Sequence, residues 1–172
     1  MKIEEFIKKH KFYYADSDIT SKNFPLQEVE DLSRAKIITI DKIDKSLTSE
    51  EVLKKVKMEK LRPANIYELM AWFDENKGEM KKGSWLIALG SEWVDAVGHR
   101  RVPFVDCDSD GDFKFRLGYF ENVWRDDDAF LCFCDTKLST SDTQNSQSLS
   151  PLNLDAAIKL CKENGLKVYK EC

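Results

Sequence analysis

Apolar positions in the first half of the chain recur at helical spacing, whereas in the second half they alternate or run together at strand length. Ile3, Phe6 and Ile7 predict a short amphipathic helix over residues 2–10. Residues 12–36 mix charge with Asp16, Asp18, Asn23 and Pro25, so they read as a segment wrapping the body, anchored by Phe12, Tyr13, Phe24 and Leu26. Lys36 to Ile40 is β-branched and bounded by charge, which predicts a strand.

Thr48 with Glu51 three residues later has the form of a capping box, and Val52, Leu53 and Val56 follow on one helical face. Pro63 breaks the chain. Asn65 with Glu68 then restarts it as a second capped helix, whose face is Ile66, Leu69, Met70 and Phe73 and which ends near Gly78. Two short helices joined at a proline turn cannot lie flat on one surface, so the second is expected to swing across the sheet.

Strands are predicted at 85–89, 101–106, 113–117 and 130–134. In the third of these, Phe113, Phe115 and Leu117 alternate with Lys114 and Arg116, which puts the basic residues outside. The polar tract 139–151 reads as a linker, followed by a helix capped by Asn153 and a short last strand. The fold class this predicts is α+β: two helices packed on a mainly antiparallel sheet, with a C-terminal helix-strand appendage. The expected division is 1–35 (N-terminal helix and wrap), 36–138 (core), 139–151 (linker) and 152–172 (appendage).

Composition narrows the partners. With 42% hydrophobic and 34% charged residues, the 172-residue chain reads as a globular protein. Its net charge of −4, with acidic residues crowded between Asp106 and Asp128, argues against nucleic acid, because phosphate binding needs a basic face. The lysines at 54, 55, 57 and 60 read as a solvated helix face. No apolar run approaches a membrane span, and the first residues lack the apolar core of a signal peptide. Five cysteines, an odd number, then suggest reduced thiols in a cytoplasm. Cys132 and Cys134 fall on one strand face and read as buried thiols, because no second ligand pair stands at zinc spacing.

Candidate chemistry is confined to the second half. Asp106, Asp108, Asp110 and Gly111 form the front of a calcium loop, with Asp112 the next carboxylate. The twelfth position, where a bidentate glutamate closes such a site, is Leu117, so weak calcium binding at most is expected and no cofactor is assigned. Asp126, Asp127 and Asp128 make a second acidic cluster, which raises the alternative of a metal-dependent hydrolase using both clusters. That chemistry needs a base as well, and none stands at a recognisable spacing. No nucleophile elbow, P-loop or dinucleotide signature is present.

The favoured reading is a non-catalytic module binding a protein or other macromolecule through the face of residues 93–128. Trp93 and Trp124 sit beside polar loop residues at strand ends, where aromatics anchor binding faces. His99, Arg100, Arg116, Tyr119 and Arg125 complete the candidate contact set.

Three stretches carry a resemblance to a known fold: KIITIDK with TSEEVLKKVKMEKLRPANIYEL, then WLIALGSEW, then AFLCF. Together they resemble the C-type-lectin-like fold, in its bacterial branch of formylglycine-generating-enzyme-like domains. Arg62, Pro63, Ala64 and Glu68 match that branch's lead-in to its second helix, and Trp124 and Asp126 echo the lectin W-N-D segment. The chain is also similar to a group of small bacterial proteins with no established activity. The catalytic cysteine pair of the formylglycine-generating enzymes has no counterpart here, and neither has the lectin E-P-N loop. What the resemblance implies is a rigid scaffold whose loops and outer strands present a binding face.

Overall fold

A computed structural model of the chain describes residues 1–40, 46–126 and 128–134, all within a compact unit spanning Met1–Asp135. The expected linker, the appendage, and Asp127 of the second acidic cluster lie outside the described residues. The protein is mixed α+β: three α-helices among the described residues surround a core that is mainly sheet. The helices are α1 (Ile3–His10), α2 (Ser49–Met58) and α3 (Ile66–Asn76). The strands are β1 (Tyr14–Ala15), β2 (Ala35–Thr39), β3 (Ser46–Thr48), β4 (Leu61–Pro63), β5 (Ser84–Ile87), β6 (Trp93–Val94), β7 (Arg100–Cys107), β8 (Phe113–Tyr119), β9 (Val123–Arg125) and β10 (Asp128–Cys134).

The main sheet runs β1-β8-β7-β5-β10-β2, with β4 beside β10 and β6 beside β7. Its pairings are antiparallel except β1 with β8 and β10 with β5. Among the described residues the strand latest in sequence, β10, lies inside the sheet, with β2 on one side of it and β5 followed by β4 on the other. A separate ribbon pairs β3 with β9.

Period-two alternation along these strands builds two cores. Leu86, Val105, Phe115, Leu131 and Phe133 face one side, where α1, α3 and the wrapping segment cover them. Ile87, Val102, Phe104, Phe130 and Cys132 face the other, under α2 and the β3–β9 ribbon. The two central helices therefore occupy opposite faces, with β4 threading between them.

Local chemistry explains the helix starts. The Thr48 hydroxyl accepts the Glu51 amide while the Glu51 carboxylate accepts the Thr48 amide, so the capping box is complete. At α3 the Asn65 side chain accepts the amides of Tyr67 and Glu68, and the Ser91 hydroxyl accepts that of Ile66. The Asn65 amide donates to the Glu68 carboxylate, so all four amides left open at this helix start are satisfied by side chains. Ile66, Leu69, Met70 and Phe73 are all buried, each stabilising the fold by roughly 1.5–3 kcal/mol.

The wrap departs from expectation in part. Phe24 is buried and Phe12 packs against the core, but Tyr13 and Leu26 are 75% and 79% exposed. Neither anchors the segment. The Tyr67 hydroxyl does so instead, donating to the Phe24 carbonyl at 2.9 Å. Cys132 is buried on the second face with Cys134 packed beside it. Burial pushes the Cys132 thiol up to about 12, which keeps it protonated and inert.

Candidate functional site

Register places the candidate residues more informatively than sequence order does. Asp128 pairs with Trp85, Trp85 with Asp106, and Asp106 with Lys114, a row across four strands on the second face. The next row on that face is Phe130, Ile87, Phe104 and Arg116. The Trp85 ring lies against Phe104 with centroids 4.9 Å apart. Both acidic clusters thus contribute one buried carboxylate to the same end of the sheet, as Asp106 and Asp128. They stand on either side of Trp85, two strand spacings or about 9.5 Å apart.

Each carboxylate is engaged where it sits. Asp128 accepts the Arg125 amide at 2.8 Å. Asp106 faces the Arg116 guanidinium at 3.6 Å. The calcium-like loop is turned on itself: one Asp108 oxygen accepts the amides of Asp110, Gly111 and Asp112. Its other oxygen meets the Lys114 ammonium at 2.9 Å. That ammonium and the loop amides hold the Asp108 carboxyl below the usual carboxylate range. Gly111 takes a φ of +95°, which the tight turn requires, and the Lys82 ammonium donates to the Asp110 carbonyl. Leu117 packs against the first core. Among the described residues no group of three or more His, Cys, Asp or Glu is placed to hold a metal ion.

Two concavities flank Gly83 and Trp85. One, of about 400 Å³, lies beside the end of α3, with Ile37, Thr39, Leu86 and Ala129 from the sheet and Trp72 and Met80 above them. The other, of about 460 Å³, lies between β9 and the sheet and includes Trp85, Asn122, Arg125 and Asp128. Asp126 lines the first and Asp128 the second, so the acidic turn after β9 separates them. No sequence signal marked the first cavity, because its walls come from β2, β5, β10, α3 and the segment after α3, which are far apart in sequence.

Trp93, His99, Arg100 and Tyr119 gather at the opposite end of β7 and β8, but on both faces. Arg101 pairs with Tyr119, and its guanidinium lies 3.7 Å from the ring centroid. His99 meets the same ring edge-on at 5.3 Å. Asp95 ties this group together, accepting from the Arg101 side chain at 3.0 Å and from the His99 and Val97 amides. Burial alone would raise the Asp95 carboxyl, but the His99 amide, the Arg101 guanidinium and the Val97 amide bring it down to about 2. Trp93, opposite Arg101, packs against the first core.

Arg100 turns to the other side. It lies 3.9 Å over the Phe120 ring and bonds Glu121 and Glu50. Arg116 is also on that side, half-exposed beside Asp106. The expected single face of residues 93–128 is therefore two surfaces, because neighbours along a strand point to opposite sides.

Trp124 is a correction. It is 1% exposed, its indole donates to the Ser49 hydroxyl at 2.8 Å, and its ring meets Phe130 edge-on. The β3–β9 ribbon folds it under α2, so it anchors that ribbon and offers no contact surface. Arg125, the next residue, is exposed.

No known protein family matches the chain, and comparisons with curated proteins and with solved structures return no match. Among the described residues no helix is long and apolar enough to cross a membrane.

Proposed function

We propose that the chain is a non-catalytic recognition module that binds a macromolecular partner through the surface around Tyr119. The observation that carries this reading is the fixed setting of that ring. Tyr119 is 41% exposed, yet Arg101 holds it from its face and His99 from its edge. A contact aromatic immobilised before binding loses little side-chain entropy on association. Val97, 78% exposed, adds apolar area from the adjoining turn, and Arg101 supplies the charge against the ring face. Tyrosine and arginine are among the residues enriched at interface hot spots.

The scaffold is read with this as C-type-lectin-like. Support comes from the matched stretch: Arg62 donates to Glu68 through both terminal guanidinium nitrogens, so these two positions clamp the start of α3. The hydrolase alternative gains no support from the geometry, since Asp106, Asp108 and Asp128 are each held by separate partners.

Photo-crosslinking tests the reading. A benzophenone side chain at Tyr119 is expected to give a discrete adduct in cells, whereas the same group at exposed Tyr13, at the other end of β8, gives none. The captured partner should bind the purified protein at least about tenfold more weakly after Tyr119→Ala, a hot-spot effect. Identical adducts at both positions, or unchanged affinity, would sink the reading.

A further inference from the structure

We propose that the outer edge of β2 and the cavity beside it receive an extended segment of a partner protein, which adds to the sheet as a strand and places an aromatic side chain in the cavity. This surface is separate from the one around Tyr119, and the inference does not depend on that reading.

The sheet ends at β2, and among the described residues no strand pairs with its outer edge. Such an edge presents a row of alternating N–H and C=O groups, whose chemical complement along its length is another extended backbone. Proteins blunt exposed edges with prolines, bulges, very short strands or charged side chains, lysine above all. This one, Ala-Lys-Ile-Ile-Thr, carries a single lysine. Lys36, Ile37 and Thr39 are all exposed, and Ile37 keeps 48% of its surface in solvent.

The cavity makes the edge selective. Ile37 pairs with Leu131 and Thr39 with Ala129, so both residues stand on the first face, where they line the cavity of about 400 Å³. A strand added beside β2 continues that alternation, and every second side chain it carries lies over the same hollow. Backbone pairing then supplies affinity and the hollow supplies side-chain choice, the division of labour in strand addition. Trp72, Met80 and Leu86 line a space larger than an aliphatic side chain fills, and a thioether packs well against a ring. Lys81 and Asp126 also line the cavity, giving the ring polar neighbours.

A second copy of the chain is the weaker occupant. A five-residue edge spans about 17 Å, and pairing it with itself covers little of the roughly 1,200–2,000 Å² that stable interfaces bury. A linear segment faces no such requirement.

Nitrogen-15 NMR on the full chain tests this with a nine-residue peptide alternating threonine with apolar residues around a central phenylalanine. Two further versions carry N-methyl groups on the odd or on the even amides. An added strand pairs through one edge, so one methylated peptide should bind and the other should not. The shifts should centre on residues 35–39 and the indole of Trp72. Ile37→Lys or, independently, Thr39→Arg should weaken the peptide by at least about tenfold, equivalent to about 1.4 kcal/mol. The proposal is overturned if both methylated peptides bind alike, if the shifts centre on residues 93–119, or if no peptide shifts any amide at about 1 mM, the weakest useful affinity. Sedimentation showing a wild-type dimer that Ile37→Lys dissociates would assign the edge to a second copy instead.

Discussion

Glu68 is fully buried, and its carboxylate accepts from the Arg62 guanidinium, the Asn65 amide and the Glu30 amide. Removing it leaves Arg62 with only Glu30, 3.6 Å away, as a counter-charge and deprives the Asn65 amide of its acceptor, one half of the capping box of α3. Glu68→Ala should therefore destabilise the protein by about 1.5–3 kcal/mol in urea unfolding, the range for hydrogen bonds to a charged group. Glu68→Gln keeps part of the capping and should lose less. His10 provides a pH signature. Burial among Phe6, Phe12 and Phe73 lowers its folded pKa, against the opposing pull of Asp74. An unfolded histidine titrates near 6.5, so above that pH neither state is protonated and this histidine adds no penalty. As pH falls below it the unfolded chain takes up the proton first, and stability is lost down to the folded value. The urea midpoint should drop from pH 7 to 5, and His10→Gln should flatten that slope.

At the scale of elements, the turn joining β5 to β6 is locked to the start of α3. The Gly90 amide donates to the Ala64 carbonyl, and a Cβ on Gly90 would lie 2.7 Å from the carbonyl oxygens of Pro63 and Ala64. Both neighbours are backbone and cannot rotate away. Gly90→Ala should cost about 1–3 kcal/mol by overpacking, visible as a lower thermal midpoint. The elements involved differ in how far the sequence announced them. The caps of α2 and α3 and the long strands β7, β8 and β10 were legible, because capping boxes and period-two runs are local signals. The short strands β1, β4, β6 and β9 were not, since two or three residues carry no periodicity. Trp124 was misplaced for the same reason: its polar neighbours suggested a surface, while the ribbon that buries it pairs residues far apart in sequence. The split of Tyr119 from Arg116 is likewise a matter of which face the register turns inward, and the first cavity joins sheet residues to Trp72 and Met80, which no local pattern links to them.

For the whole molecule, the concentration of acid at one end of the sheet invites a cation, and the geometry disperses it. Asp108 is occupied by its own loop and Lys114, Asp106 stands beside Arg116, and Asp128 is a strand away beyond Trp85. Calorimetric titration with calcium should show millimolar binding or none. A micromolar isotherm abolished by changing Asp108 and Asp110 to Asn would revive the metal-centred reading, in which Asp126 or Asp128 closes the site that Leu117 leaves open.

The interior position of β10 also dictates the order in which the molecule can be made. Its partners β2, β4 and β5 are drawn from three separate upstream regions, and it supplies residues to both cores. On a ribosome those earlier strands emerge with their central neighbour still unsynthesised. They present apolar faces and open edges that nothing in the nascent chain can yet fill. Closure waits on loops that span much of the chain, a slow topology in which collapse precedes pairing. The vulnerable period of this protein is therefore its synthesis, and the segment that ends that period is β10, the last strand to be made among the described residues.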